Sequence, residues 1–322
     1  MVKLSSIQSN NNLNFDYPKI SVIIPNYNYG EFLEEAILSV LNQSYSNIEL
    51  IVIDGGSSDN SVDIIKKYQS HIFYWISEKD NGQTDAINKG LSKANGEYVC
   101  YLNSDDAYIG DAFEEIFKKS NSRQADFIFG KVYAGRDLKN VTIFGSNRNV
   151  FNLKNLVLFF YHTNYIIPSQ SVLIKKSFLL KHDILNLKTN LKYCMDMDWY
   201  CRIWMHNPIS YRYKGVHCFF RIHPKTKTKS QSDLMRYESI EIALAYLPKL
   251  DAKDQLRFFK YLFLSKIMRK IYRHNIQSNF YLMVSLIKRL GITGIWDRRV
   301  LGIYKRSIIP ILYHSNGTEI SA

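Results

Sequence analysis

The stretch that decides the fold runs from Lys19 to Ser61, "KISVIIPNYNYGEFLEEAILSVLNQSYSNIELIVIDGGSSDNS". It opens with an apolar, β-branched run of strand length, Lys19 to Pro25, which proline stops. "EFLEEAILSVLNQ" follows, with Leu33, Ile37, Val40 and Leu41 at helical spacing and acids near its start. "IELIVID" (Ile48 to Asp54) is a second buried strand, and a Gly-Gly-Ser-Ser turn leads on to the helix "NSVDIIKKY". The alternation continues outward from there. "HIFYWIS" (His71 to Ser77) is a third strand, "QTDAINKGLSKA" a helix with Ala86, Ile87, Gly90 and Leu91 on one face, and "EYVCYL" a fourth strand. Strand and helix alternating about every 25 residues means βαβ units, hence an α/β fold with a mostly parallel central sheet flanked by helices.

After Asp126 the pattern loosens. "DFIFGKVYAG" and "NVTIFG" predict a β-ribbon, "SQSVLIKKSFLLKH" a strand leading into a helix, and "MDMDWYCRIWMHN" a helix. "ISYRYKGVHCFFRIH" returns to strand, and from about Ser232 the chain reads as helices.

In a parallel sheet of this kind ligands bind beyond the carboxyl ends of the strands. All four strands end in polar, loop-forming residues: "PNYN", "DGGSSD", "SEKDNG" and "NSDD". That convergence locates one candidate site. Neither GxGxxG nor GxxxxGK[ST] is present, which argues against dinucleotide oxidoreductases and P-loop enzymes. Tyr27 can stack on a base and Asn28 can hydrogen bond. Asp54 can accept from a ring N–H, or simply turn the chain before Gly55 and Gly56, and Asp59 can cap the next helix.

Asp105 and Asp106 end an apolar strand, where adjacent acids repel and burial without a partner is costly. They form either a solvated turn or a site for a divalent cation, Mg²⁺ or Mn²⁺, which binds one or two carboxylates together with phosphate oxygens and water. A second acidic pair, Asp196 and Asp198, lies in "CMDMDWYCRI". On a helix the two point about 200° apart, so they do not share one job: both cap the helix, or one serves as a general base while the other caps it.

With 46% hydrophobic and 22% charged residues the chain is globular. The net charge of +13 is concentrated late: Arg257 to Leu312 holds twelve Lys/Arg and one acid, Asp297. In "LSKIMRKIYR", Leu264, Ile267, Met268 and Ile271 form a stripe opposite Lys266, Arg269, Lys270 and Arg273. Such a helix suits an anionic membrane surface, or packs its stripe on the domain. No nucleic-acid module is recognisable, so charge alone does not predict that partner. Cys100, Cys194, Cys201 and Cys218 form no CxxC pair and read as reduced, buried thiols of a cytoplasmic protein. The first 17 residues have no apolar core of signal-peptide length and read as a disordered arm, and no run long enough to span a membrane is evident.

These motifs in this order resemble the family 2 glycosyltransferases, which have the GT-A fold. The resemblance runs from about Lys19 to Pro224, through the opening stretch, "SEKDNGQTDAINKGLSKANGEYV" and "YLNSDD". It implies an inverting, metal-dependent transferase of nucleoside-diphosphate sugars. Residues 18–106 would be the nucleotide-binding half, 107–230 the acceptor and catalytic half, and 231–322 a basic helical extension. The resemblance assigns Pro25, Tyr27, Asn28, Asp54, Asn88, Asn103 and Asp105 to the nucleotide sugar. "NSDD" stands at the metal motif, with Asp106 as direct ligand and Asp105 near the ribose or metal. Asn103 departs from the family, which often has Asp there.

The base belongs to an "ED" motif that maps onto Met195-Asp196, so the Glu is missing and Asp196 inherits the role, with Asp198 in reserve. "FRIHPKTKTKS" implies that His223, Lys227 and Thr228 approach the diphosphate or sugar. The implied acceptor is a saccharide or lipid-linked saccharide of a bacterial surface polysaccharide, at the cytoplasmic face of the membrane. A non-catalytic sugar-nucleotide-binding homologue and a nucleotidyltransferase of related fold are the alternatives.

Overall fold

The structure, a computed structural model, describes residues 17–118, 121–146, 151–158 and 166–273. Four βαβ-type strands build its first half: β1 (Ile20–Asn26), β2 (Ile48–Asp54), β3 (Tyr74–Ser77) and β4 (Tyr98–Tyr101). Between them run α1 (Gly30–Leu41), α2 (Ser61–Tyr68) and α3 (Gln83–Lys93). The four strands lie in the order β3-β2-β1-β4, all parallel, with Ile20 opposite Ile48 and Asn26 opposite Asp54.

Every residue of β1 is buried, as expected for a strand covered on both faces. Alternate side chains feed two cores. Val22 and Ile24 pack with Leu33, Ile37 and Val40 of α1, and Ile23 packs with Ala86, Ile87 and Leu91 of α3. Gly90 lets α3 lie directly on β1, because any Cβ there would clash with Ile23. The third strand starts at Tyr74 rather than His71, since Gln69–His71 forms a 3-10 turn.

The second half contributes β5 (Ala107–Tyr108), α4 (Ala112–Lys118), β6 (Phe127–Gly135), β7 (Val141–Phe144), α5 (Leu153–Val157), β8 (Leu173–Lys175), α6 (Lys176–Lys181), α7 (Met195–Trp204) and β9 (Ser210–Arg221). The sheet continues β4-β8-β6-β9-β5, with β7 on β6 as the expected ribbon. The parallel pattern therefore holds through β4. Beyond it β8 pairs antiparallel with β4 and β6, and only β6 and β9 are parallel. Only β7 follows its antiparallel neighbour β6 through a short turn; β8 and β9 reach the sheet over long connections. The two-residue β5 pairs with β9, Ala107 opposite Phe219, and so ties the acidic pair before it to the end of β9.

Helices α8 (Lys227–Ser230), α9 (Ser232–Tyr246) and α10 (Ala252–Arg273) follow. Ile242, Ala243, Leu247 and Phe258 join the same core as Trp199 and Ile203 of α7. The stripe from Leu264 to Ile271 lies on the last part of α10, outside the residues whose side chains the structure describes, as do residues 274–322 and the first sixteen. Among the described residues no helix is long and apolar enough to cross a membrane. All four cysteines are free and buried.

Candidate active site

At the end of β2, Asp54 is fully buried and accepts four hydrogen bonds. The donors are Asn26 Nδ2 (2.7 Å), Ser57 N (2.9 Å), Ser57 Oγ (2.5 Å) and Ser77 Oγ (2.6 Å). Burial pushes its pKa up, but these donors outweigh burial and hold the carboxyl below its usual range. Asp54 therefore ties the ends of β1, β2 and β3 together. Asn28, at φ 54°, does similar work: its N–H donates to Ser57 Oγ and its Oδ1 accepts from Ser58 N, both at 2.8 Å. Asp59 receives Gly30 N and Ser61 N at the starts of α1 and α2. Pro25 is buried within β1, while Tyr27 is 59% exposed beyond it.

A further carboxyl at this tip, part-buried, belongs to Asp80. A Cβ on Gly55 would come within 2.8 Å of Asp80 Oδ2, so the carboxylate lies flat against the glycine backbone. Asp80 Oδ1 accepts from Gly82 N at 2.8 Å, and burial raises its pKa.

The acidic pair after β4 splits into two environments. Asp106 is 1% exposed and accepts from Arg221 N (2.9 Å), Gln170 Nε2 (2.8 Å) and Asn103 Nδ2 (3.1 Å). Burial, and then the neighbouring Asp105 charge, push its pKa well up. Asp105 instead meets His223, with Oδ2 3.0 Å from Nε2. Arg221 braces this turn from β9. Its Nε donates to the Asp105 carbonyl at 3.0 Å, a terminal nitrogen reaches Glu35 at 2.6 Å, and its guanidinium stacks between Phe32 and Phe219.

The segment after β9 lies across the same end of the sheet. His223 packs on the rings of Tyr29 and Phe32, and the Tyr29 hydroxyl donates to the Lys225 carbonyl at 3.4 Å. Lys227 Nζ donates to Gln83 Oε1 (2.8 Å), and Gln83 Nε2 donates to Asn103 Oδ1 (2.7 Å). Thr228 is exposed on α8. Asn103 thus links the basic segment to Asp106 through an amide, and a carboxylate in its place would lose the donor that Asp106 faces.

The second pair also divides. Asp198 is 2% exposed and bonded to Lys188 Nζ (2.8 Å), Arg202 Nε (2.9 Å) and the Tyr246 hydroxyl (2.9 Å). Among the described residues Asp196, in the first turn of α7, accepts from backbone N–H groups of that turn, Met197 N at 2.8 Å among them. Burial raises its pKa to about 6. Tyr101 stands between the two acidic regions, its ionisation opposed by burial and then by Asp196 and Asp106. Asn88 is engaged elsewhere, its amide exchanging two 2.8 Å bonds with the Leu187 backbone.

The sequence reading did not name Asp80, Gln83, Gln170 or Arg221. Asp80 and Gln83 carried a signal, since both lie at the loop and helix start after β3, one of the four converging strand ends. Gln170 and Arg221 reach the site from distant segments; Gln170 has no local motif, whereas Arg221 lies within "FRIHPKTKTKS", two residues before the His223 that this stretch implied. Among the described residues no group of three or more His, Cys, Asp or Glu is arranged to hold a metal. Asp105 and His223, a carboxylate and an imidazole side by side, are the residues that could hold a divalent cation completing its shell with phosphate oxygens and water.

A parallel first half with acids gathered at its strand ends, continued by a mixed sheet, defines a GT-A fold. Residues 21–184, just over half of the chain, match the family described as Glycosyl transferase family 2. The chain belongs to the family 2 glycosyltransferases. It is 35% identical over 117 residues to a GalNAc(5)-diNAcBac-PP-undecaprenol beta-1,3-glucosyltransferase of Campylobacter jejuni, covering 35% of this chain and 38% of that protein. The chain spans less than half the length of the curated relatives it matches. The fold is shared with S. aureus TarS in complex with UDP-GlcNAc, with a TM-score of 0.59, 17% identity and coverage of 89% of this chain and 80% of that one. It is also shared with the mannosyltransferase PcManGT of Pyrobaculum calidifontis in complex with GDP-Man and Mn2+, with a TM-score of 0.52, 13% identity and coverage of 93% and 88%.

Proposed function

We propose that this transferase moves a sugar from a nucleoside-diphosphate sugar to a saccharide or lipid-linked saccharide, with inversion, in building a cell-surface polysaccharide. The observation that carries the reading is the division of labour among the acids. Asp106, Asp54 and Asp198 are each bonded to three or more donors. Asp105, Asp80 and Asp196 are left to meet ligands. The undecaprenol-linked substrate in the name of the Campylobacter relative supports a lipid-linked acceptor. The basic stretch on α10 gives the enzyme a means to approach an anionic membrane surface.

Asp196 takes the proton of the acceptor hydroxyl as that oxygen attacks the anomeric carbon from the face opposite the diphosphate. The bond from the anomeric carbon to the diphosphate oxygen breaks as the new C–O bond forms, so configuration inverts without a covalent enzyme intermediate. A pKa near 6 keeps Asp196 ionised at neutral pH yet basic enough to accept a proton. Asp105 and His223 are the residues that would hold Mg²⁺ or Mn²⁺, which when bound neutralises charge on the leaving diphosphate. Tyr27 stacks on the nucleobase, and Asp80 accepts from a ring N–H of the base.

The deciding experiment is donor hydrolysis and transfer across a panel of nucleotide sugars with Mn²⁺, comparing wild type with Asp196→Asn. Turnover that survives Asp196→Asn unchanged would sink the base assignment, and donor binding without any turnover would favour a binding homologue.

A further inference from the structure

The resemblance implies an acid where Met195 stands, and a carboxylate from elsewhere in the chain binds the backbone just before that position. It comes from α9. Glu238 accepts from three consecutive backbone N–H groups: Lys192 N at 2.8 Å, Tyr193 N at 2.7 Å and Cys194 N at 2.6 Å. Cys194 is the N-cap residue of α7 and supplies no side-chain cap of its own, its thiol donating instead to the Met235 carbonyl. A helix start needs acceptors for its free N–H groups and favours negative charge there. Glu238 meets both needs from another helix. The turn it holds is fixed on its other side by Thr84 of α3, whose hydroxyl donates to the Leu191 carbonyl at 3.0 Å.

We propose that Glu238 is a positioning residue for glycosyl transfer, replacing in space the acid absent from position 195: it fixes the turn that carries Asp196 and lays a second negative charge beside that base. The inference rests on the reading of Asp196 as the base. The groups that act on the Asp196 ionisation or share its surroundings are Tyr101 of β4, Tyr200 and Cys194 at α7, and Glu238 of α9, with Lys227 of α8 also in the field of Glu238. Burial is the main cause of the raised Asp196 pKa, and the Glu238 charge adds to it. A like charge favours the protonated acid, so removing it lowers the Asp196 pKa and weakens the base.

Three variants separate clamp from charge. Glu238→Gln should lower kcat by about tenfold or more, leave the donor KM within about twofold, and move the acid limb of the rate profile down by about half a pH unit. Glu238→Asp keeps the charge at shorter reach, so it should lose rate while its acid limb stays closer to that of wild type. Glu238→Ala should lose both, and thermal unfolding of each variant checks that it folds. A slower Glu238→Gln enzyme whose acid limb does not move would reduce Glu238 to a structural clamp and overturn the proposal, as would a variant with unchanged rate. Should wild type show no transfer, the base reading fails separately. The Asp196 carboxyl can then be titrated by carbon-13 NMR, assigned with Asp196→Asn. Its midpoint should drop in Glu238→Gln, and an unmoved midpoint overturns the proposal without any need for activity.

Discussion

Asn103 Nδ2 donates to Asp106 Oδ2 at 3.1 Å, and Asn103 Oδ1 accepts from Gln83 at 2.7 Å, so one amide answers a buried carboxylate and a polar neighbour together. An aspartate at position 103 would set a third carboxylate beside Asp105 and Asp106. Asp106 already has a folded-state pKa above its unfolded value, so its burial costs stability as pH rises past the ordinary carboxylate range. Asn103→Asp should therefore lower Tm little near pH 4 and progressively more toward pH 7, by an amount corresponding to about 1–3 kcal/mol for a lost buried donor. Melting curves between pH 4 and 8 test it. A variant as stable as wild type at pH 7 would show that the amide is not needed.

The two acids of the strand end should fail in different ways. Asp105 meets His223 and is available to a cation, whereas Asp106 braces Arg221, Gln170 and Asn103 inside the turn. Asp105→Ala and His223→Ala should each weaken Mn²⁺-dependent nucleotide binding by roughly 10–100-fold while leaving Tm nearly unchanged, in line with the loss of a metal ligand or its support. Chelation should abolish the same component in wild type. Asp106→Ala should instead lower Tm. Calorimetric titration of UDP with and without Mn²⁺, beside thermal melts, distinguishes the patterns, and reversed patterns would return the ligand role to Asp106.

The parallel half was legible because its order is local: strand, helix and turn each announce themselves within a few residues, and β1 to β4 form in the expected order, with β3 starting three residues late. The sheet beyond β4 was not legible in that way, since the register of β8, β6 and β9 depends on contacts between segments far apart in sequence. The site shows the same division. Asp105, Asp106 and Asp196 stand out as residue types at strand or helix ends. Which of the two adjacent acids is buried and braced depends on Gln170 and Arg221, more than sixty and more than a hundred positions away. Glu238 carries no sequence signal at all, because the position it complements is 43 residues earlier.

The helical pair separates by stability as well as by rate. Asp198 is tied to Lys188, Arg202 and Tyr246, so Asp198→Ala leaves the part-buried Arg202 and Tyr246 donors without their shared acceptor and should cost about 1–3 kcal/mol. Asp196 has a raised pKa of about 6, and holding it ionised opposes folding once pH exceeds its unfolded value. Asp196→Asn should then raise Tm at pH 7–8, raise it less at pH 5, and slow transfer by about 10²–10⁴-fold. Thermal melts and turnover measured on the same preparations check both. An Asp198→Asn enzyme that is stable but inactive would exchange the two roles.

Gly55 and Asp80 make the last test, because the glycine is what lets the carboxylate approach the tip of β2. Any side chain at 55 meets Asp80 Oδ2 at 2.8 Å and must displace it. Uracil offers an N3–H donor and cytosine an acceptor at the same position, so a carboxylate reader prefers UDP over CDP by about tenfold, the scale of one hydrogen bond to a charged group. Asp80→Ala should erase that preference by weakening UDP while leaving CDP nearly unchanged. Gly55→Ala should do the same with Asp80 still present, and the double variant should be no worse than either single one, since both remove a single contact. Competition binding of UDP, CDP and N3-methyl-UDP reads the outcome directly. Additive losses, or a preference that survives Asp80→Ala, would assign base recognition to another group at the strand ends.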